Sequence, residues 1–306
     1  MRTPSAPIPA SVTLTGLFVY PVKSARGIAL HEAELGDRGI AHDRRFMVVD
    51  ERGHFLTQRD TPALARLGTG LHDDGPAGEL VLAFEGQQLA LPLRPSAGEL
   101  RRVRVFADEV EALDLGARAS RFLSDALGRQ AALVYMPDET RRQVDPTRAS
   151  PGDIVGFADG FPYLLANESS LAALNVELAR GGTARTVNSS LARGGTAPFD
   201  RELPEPVTMQ RFRPNFVIAG VPAYSEDNFA ELTIGGLPFT ALKPCSRCVI
   251  VNTDQSSGQR TRGVLEALVR THTVGNRPIF GQNLVARASG RLAVGATVDL
   301  APAARS

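Results

Sequence analysis

Short runs of alternating apolar and polar residues dominate the first part of this chain, and such runs predict β-strands rather than helices. Val12–Val22 is the first, though Thr13, Thr15 and Gly16 interrupt it, and Phe46–Asp50 is the second. Glu79–Phe84 and Gln88–Leu93 flank Glu85-Gly86-Gln87 as a predicted hairpin. Arg102–Phe106 alternates arginine with apolar side chains, then turns at Asp108-Glu109 into Val110–Leu115. Helical spacing enters at Ala119, Phe122, Leu123, Ala126 and Leu127, with Gly128 suited to the C-terminal cap.

Met136–Pro151, with its Pro, Asp, Thr and several Arg, reads as a connector. Beyond it, Ser169–Leu178 carries Leu171, Leu174 and Leu178 on one face of a predicted helix. Asn215–Ala219 reads as a buried strand, and Thr233-Ile234 and Leu237–Thr240 flank Gly235-Gly236 as a second hairpin. Arg262–His272 reads as a helix and Ala293–Leu300 as a closing strand. Many short strands and few helices predict a mostly β fold of the α+β class, β-barrel-like in both halves. A 13-residue segment, Asn175–Val187, is repeated as Asn188–Asp200 around a shared Leu-Ala-Arg-Gly-Gly-Thr-Ala. That period is too short for a solenoid. It reads as a duplicated surface loop, with the paired glycines ending the helix in each copy.

The chain has 306 residues, enough for about two domains and a sizeable core. A net charge of +1 gives no electrostatic case for a nucleic-acid or membrane partner. No window approaches the ~18 apolar residues of a spanning helix. Met1–Ala10 lacks the apolar core of a signal peptide. The two cysteines, three apart, make a poor disulfide framework, and the expectation is a soluble cytoplasmic protein.

Both thiols lie in Cys245-Ser246-Arg247-Cys248, after a predicted hairpin over Glu231–Ala241 and before a predicted apolar strand, Val249–Val251. A lone CxxC fits zinc, disulfide exchange or plain packing. Zinc would need two more ligands, and none of the five histidines makes a tight pair with another or with the cysteines, which leaves zinc only by distant ligands. A thioredoxin-like pair would open a helix, not a strand. Inert packing sits poorly with Lys243, Ser246 and Arg247 nearby, whereas a thiolate beside cations is a competent soft ligand.

Three further clusters carry candidate chemistry. Tyr20-Pro-Val-Lys23-Ser24 ends a strand with a cation and a hydroxyl, which suits an oxyanion, although an exposed lysine would look the same. In Asp43-Arg44-Arg45-Phe46, alternation points one arginine inward, toward a ligand phosphate or a carboxylate such as Asp43 or Asp60. In Arg211-Phe-Arg213-Pro-Asn215, Pro214 restricts Arg213 to extended backbone, so Arg213 and Asn215 share parity. They would face one cleft, or else solvent from an edge strand.

Together with Thr57-Gln-Arg59, Val144-Asp-Pro146, Phe157-Ala-Asp-Gly-Phe-Pro162, Ser170-Leu171 and Phe280-Gly-Gln-Asn283, these motifs run in the order found in one family. The chain resembles MOSC-domain proteins that carry an N-terminal MOSC β-barrel domain, here over 11–135 and 150–303. Within the family it is similar to the mitochondrial amidoxime-reducing component and its bacterial counterpart. That resemblance implies a bound molybdenum cofactor (Mo-molybdopterin) and reduction of small N-hydroxylated compounds such as hydroxylamines, amidoximes and N-hydroxylated bases. It makes Cys248 the metal ligand and catalytic centre. It places Lys23, Ser24 and Arg45 on the pterin or its phosphate, and Asp159, Arg213, Asn215, Ser246 and Arg247 along the cofactor. Asp159 also becomes a candidate proton relay, Cys245 a supporting residue, and Asn283 stands where relatives can have an aromatic residue. The chain has no four-cysteine iron–sulfur module and no Rossmann glycine fingerprint. Electrons would therefore come from a separate ferredoxin, flavoprotein or cytochrome. The alternative is a non-catalytic carrier of the cofactor or its sulfur, independent of pyridoxal phosphate.

Overall fold

The computed structural model describes residues 11–74, 77–185 and 206–301, with backbone alone for 181–185. Thr13–Val19 buries Leu14, Leu17 and Val19, its alternation shifted by a register irregularity between Leu14 and Gly16, and this strand enters a nine-stranded sheet. Across that sheet the order is Val298–Leu300, Glu231–Ile234, Leu237–Ser246, Arg277–Ala286, Tyr163–Asn167, Phe216–Ala219, Thr13–Val19 and Ile28–Leu30. Thr273–Val274 pairs beside Arg277–Ala286. Tyr163–Asn167 and Phe216–Ala219 run parallel, and the helix α2 (Glu168–Arg185) starts the crossover between them.

Two smaller sheets belong to the N-terminal half. One orders Phe46–Val49, Ala132–Tyr135, Asp108–Asp114 and Leu100–Val105; the other is the meander Gly68–His72, Glu79–Phe84 and Gln87–Pro92. The helix Gly116–Leu127 packs Ala119 and Leu123 onto a core with Phe46, Leu64 and Leu80. The wide sheet has its own core, in which Tyr163 stacks on Phe216 at 5.2 Å and Phe239 meets both edge-on. Strands pair across the two halves. Thr13–Val19 pairs with Phe216–Ala219, and Glu32–Gly36 pairs with Gly290–Ala293.

The fold is mostly β, with three α-helices among the described residues, as the pattern predicts. Several elements differ in detail. Val249–Val251 is no strand: the chain makes a 3-10 turn over Val249–Asn252, and Val251 is buried against Phe212 and Phe280. An apolar triplet satisfies either geometry, so periodicity had nothing to decide on. The strand is Leu237–Ser246, which carries the first half of the CxxC. The predicted closing strand is two, Gly290–Ala293 and Val298–Leu300, divided by a turn with Gly295 at φ +93°. Gly181 and Gly182 lie inside α2 rather than at its end. The second copy of the repeat, Asn188–Asp200, falls outside the described residues. Ala132–Tyr135 and Tyr163–Asn167 escaped notice because every residue in them is buried, which erases alternation. Among the described residues, no helix is long and apolar enough to cross a membrane.

Candidate functional site

A cleft of about 400 Å³ opens where four segments converge: the turn after Thr13–Val19, the loop 157–161, the turn 212–215 and the end of Leu237–Ser246. Lys23 enters it from the first segment. Its backbone N–H donates to Phe46 O at 2.8 Å, and its ammonium donates to Phe157 O at 2.8 Å and Asp159 Oδ1 at 2.5 Å. Burial lowers the Lys23 pKa, with Asp159 opposing. Burial would raise the Asp159 carboxyl, but Lys23, with Arg59 and Arg44, carries it down to about 2. The Asp159 side chain is 74 % exposed, so water screens part of that pull. Ser24, at φ +68°, also lines the cleft.

Arg44, not Arg45, is the inward arginine. Arg44 has φ +47°, which breaks the alternation and turns its guanidinium into the cleft. There it pairs with Asp43, donates to Asn215 Oδ1 at 3.0 Å and Arg213 O at 3.1 Å, and stacks 4.3 Å from the Tyr20 ring centroid. Gly156 makes room for this turn, since a Cβ there would lie 2.8 Å from Arg44 O. Arg45 leaves on the other side, bonded to Met136 O, Tyr135 Oη and Asp138, outside the cleft lining. Asp60, the other carboxylate weighed for this pair, binds Thr57 instead.

Arg213 and Asn215 do reach one cleft, for a different reason than shared parity. Arg213 is left-handed at φ +57° rather than extended. Its Nη1 donates to Ala25 O at 2.6 Å, and its guanidinium lies 4.3 Å from the Tyr20 centroid. Burial lowers its pKa to about 10 and raises that of Tyr20 to about 12. The Asn215 carboxamide is held on both ends, accepting from Arg44 and Leu164 N and donating to Phe18 O.

The CxxC segment completes the wall. Arg247 donates through Nη2 to Phe212 O at 2.7 Å and through Nη1 to Cys245 Sγ at 3.0 Å, while its buried Nε has no partner. Ser246 is exposed to the cleft, Cys248 is half-buried, and both thiols are free. Among the described residues, no three of His, Cys, Asp and Glu gather as a metal-ligand group. Of the other cleft residues, the sequence offered Arg44 only as one of two arginines, met Gln58, Arg59, Phe161 and Lys243 only inside motifs, and gave no sign of Phe106. Gln58 is fully buried and exchanges amide bonds of 3.0 and 2.9 Å with Gln255, which also meets Arg213 Nη1 at 3.4 Å. A buried glutamine leaves no periodic signal in a sequence.

Residues 11–130 match the MOSC N-terminal beta barrel domain, and residues 153–299 match the MOSC domain. The chain belongs to the MOSC family. It is similar to human mitochondrial amidoxime-reducing component 1, 28% identical over 94% of this chain and 82% of the relative. It is also similar to molybdenum cofactor sulfurases, 31% identical to that of Danio rerio and 30% to that of Homo sapiens, over 85% and 83% of this chain. The chain spans only 30% and 28% of those sulfurases' length. In this MOSC protein the cleft is built jointly. Lys23, Ser24 and Arg44 come from the N-terminal beta barrel match, and Asp159, Arg213, Asn215, Ser246, Arg247 and Cys248 from the MOSC match.

Proposed function

We propose that this MOSC protein binds molybdenum cofactor in the cleft and reduces N–O bonds of N-hydroxylated compounds, with electrons supplied by a separate protein. One observation carries the reading: a free thiol, Cys248, shares the cleft with six cations and one exposed carboxylate, and the Arg247 Nε is buried without an acceptor. A buried guanidinium N–H without an acceptor is costly. A phosphorylated, sulfur-rich anion supplies acceptors of the right sign, so the residues present fit the group. The name of the human relative states amidoxime reduction, which favours this reaction over sulfur transfer. The chain also spans most of that relative but under a third of the sulfurases.

Cys248 would be the protein's ligand to molybdenum, and the bound cofactor would supply the two-electron chemistry. Lys23, Arg44, Arg213 and Arg247 would balance the anionic charge of the pterin phosphate and sulfurs. Asn215, fixed at both ends, holds Arg44 in its aim and cannot rotate away. Asp159 stays ionised at neutral pH, so its part is to anchor Lys23 rather than to donate a proton. Lys23, with its pKa lowered by burial, is the better proton holder on this wall.

The test is protein purified from cells with a working molybdenum-cofactor pathway. Near one molybdenum and one pterin per chain is expected, with turnover of hydroxylamine and amidoxime substrates on a reduced artificial donor. Cys248→Ser should lose molybdenum while the protein stays folded, and Cys245→Ser should lose less. Equal loss from both would overturn the choice of ligand. Loaded protein that leaves both substrate classes untouched would support the carrier reading instead.

A further inference from the structure

The cations of the cleft are not equally occupied. Lys23 is tied to Asp159 and Arg44 to Asp43. Among the described residues, Arg59, Arg213, Lys243 and Arg247 have no carboxylate within salt-bridge distance. Arg213 and Arg247 are the pair assigned above to the cofactor. Two cations remain, Arg59 from the N-terminal half and Lys243 from the strand Leu237–Ser246, and each lies over a ring. The Arg59 guanidinium is 5.4 Å from the Phe106 centroid, and the Lys243 ammonium is 5.0 Å from the Phe161 centroid.

The two differ in what they can take. Arg59 is exposed and acts on the neighbouring Asp159, whose negative charge repels an acidic group. Lys243 is half-buried on the same strand as Cys245. Its carbonyl accepts from Asn283 Nδ2 at 3.2 Å, which fixes the backbone of that wall. Among the described residues no carboxylate pairs with Lys243, and Asp145, which its charge reaches, lies outside the cleft lining. A half-buried ammonium over an aromatic ring, with its own backbone pinned, is a carboxylate site with a flat apolar floor.

We propose that the substrates of this protein are acidic N-hydroxylated compounds, with the carboxylate on Lys243 and a flat apolar portion against Phe161. The inference rests on the N–O reductase reading of the same cleft. It adds a substrate class, since nothing in that reading requires a negative charge on the substrate. Lys243 acts in recognition here, and the reacting end of the substrate is directed along the strand toward the CxxC.

The experiment uses molybdenum-loaded protein and two amidoximes, benzamidoxime and 4-carboxybenzamidoxime. The carboxylated compound should have the higher kcat/KM by about tenfold, the size of one partly solvated ion pair. Calorimetry with two unreactive analogues, benzamide and 4-carbamoylbenzoate, should show the same preference in Kd. Lys243→Gln should erase the preference in both measurements, and Lys243→Arg, which keeps the charge, should restore it. Turnover of both amidoximes without preference would overturn this inference and leave the reductase reading standing. Selective binding of 4-carbamoylbenzoate with no turnover of either amidoxime would overturn the reductase reading and leave the acid site. Loss of molybdenum in Lys243→Gln would overturn the assignment by making Lys243 a cofactor contact.

Discussion

Glu226 is fully buried in the 3-10 turn Ser225–Asn228, and its nearest polar neighbours are a hydroxyl and a carboxamide, with no cation among them. Ser170 Oγ donates to one carboxylate oxygen at 2.7 Å and Asn167 Nδ2 to the other at 3.1 Å. Burial raises its pKa above the ordinary 4.5, against the pull of those two bonds. Burying a charge costs several kcal/mol. Two hydrogen bonds to an ionised acceptor return about 1.5–3 kcal/mol each. The ionised form should therefore remain about 1–3 kcal/mol worse than a neutral isostere. Glu226→Gln supplies that isostere, accepting from Asn167 and donating to Ser170. The sign follows from linkage. A raised folded-state pKa means the favourable protonated form is present below about 4.5 and is lost as pH rises through the folded value. Wild type and Glu226→Gln should match near pH 4, below that value, and the variant should melt about 2–5 °C higher at pH 8. Thermal and urea unfolding at both pH values measure the difference. An equal difference at both, or a variant less stable at pH 8, would refute the argument.

Arg44→Gln should cost about 3–5 kcal/mol by stranding the buried Asp43 charge, whereas Arg45→Gln, facing an 81 % exposed Asp138, should cost under about 1 kcal/mol. Urea unfolding of the two variants checks which arginine is inside. Gly281→Ala should destabilise by about 3 kcal/mol or more, because φ is +81° and the new Cβ would stand 2.5 Å from Leu165 O; the melting temperature reports it. Gln58→Ala and Gln255→Ala should each cost about 1–2 kcal/mol, and the double variant less than their sum, since each amide is the other's partner. Additive losses in a double-mutant cycle would show that the pair does not act as one.

The fold class was legible because most strands have one solvated face. Glu79–Phe84 and Leu100–Val105 carry alternation into the structure, and Thr13–Val19 carries it past a bulge. Strands buried on both faces, such as Tyr163–Asn167, carry none. The site was legible through its motifs, and Lys23, Ser24, Asp159, Arg213, Asn215, Ser246, Arg247 and Cys248 do line one cleft. Arg45, placed on the cofactor by resemblance, lies outside the cleft lining, and Arg44 lies in it. Parity counting assumes extended backbone, and Arg44 at φ +47° and Arg213 at φ +57° are both left-handed. One such residue rotates everything that follows it, so in the first case alternation could not say which arginine of the pair points inward. In the second the error cancelled, because the turn at Arg213 returns its side chain to Tyr20, beside Arg44.

The sharing of strands between the two ends of the chain bears on how the protein is made. Thr13–Val19 waits for Phe216–Ala219, and Glu32–Gly36 waits for Gly290–Ala293. At about 5–20 residues per second, the ribosome needs roughly 15–60 s to deliver that last strand. Through that interval the early strands stand with open edges, a state that invites pairing with other chains. The walls of the cleft meet only afterwards, so any cofactor must be loaded onto a finished chain rather than a nascent one.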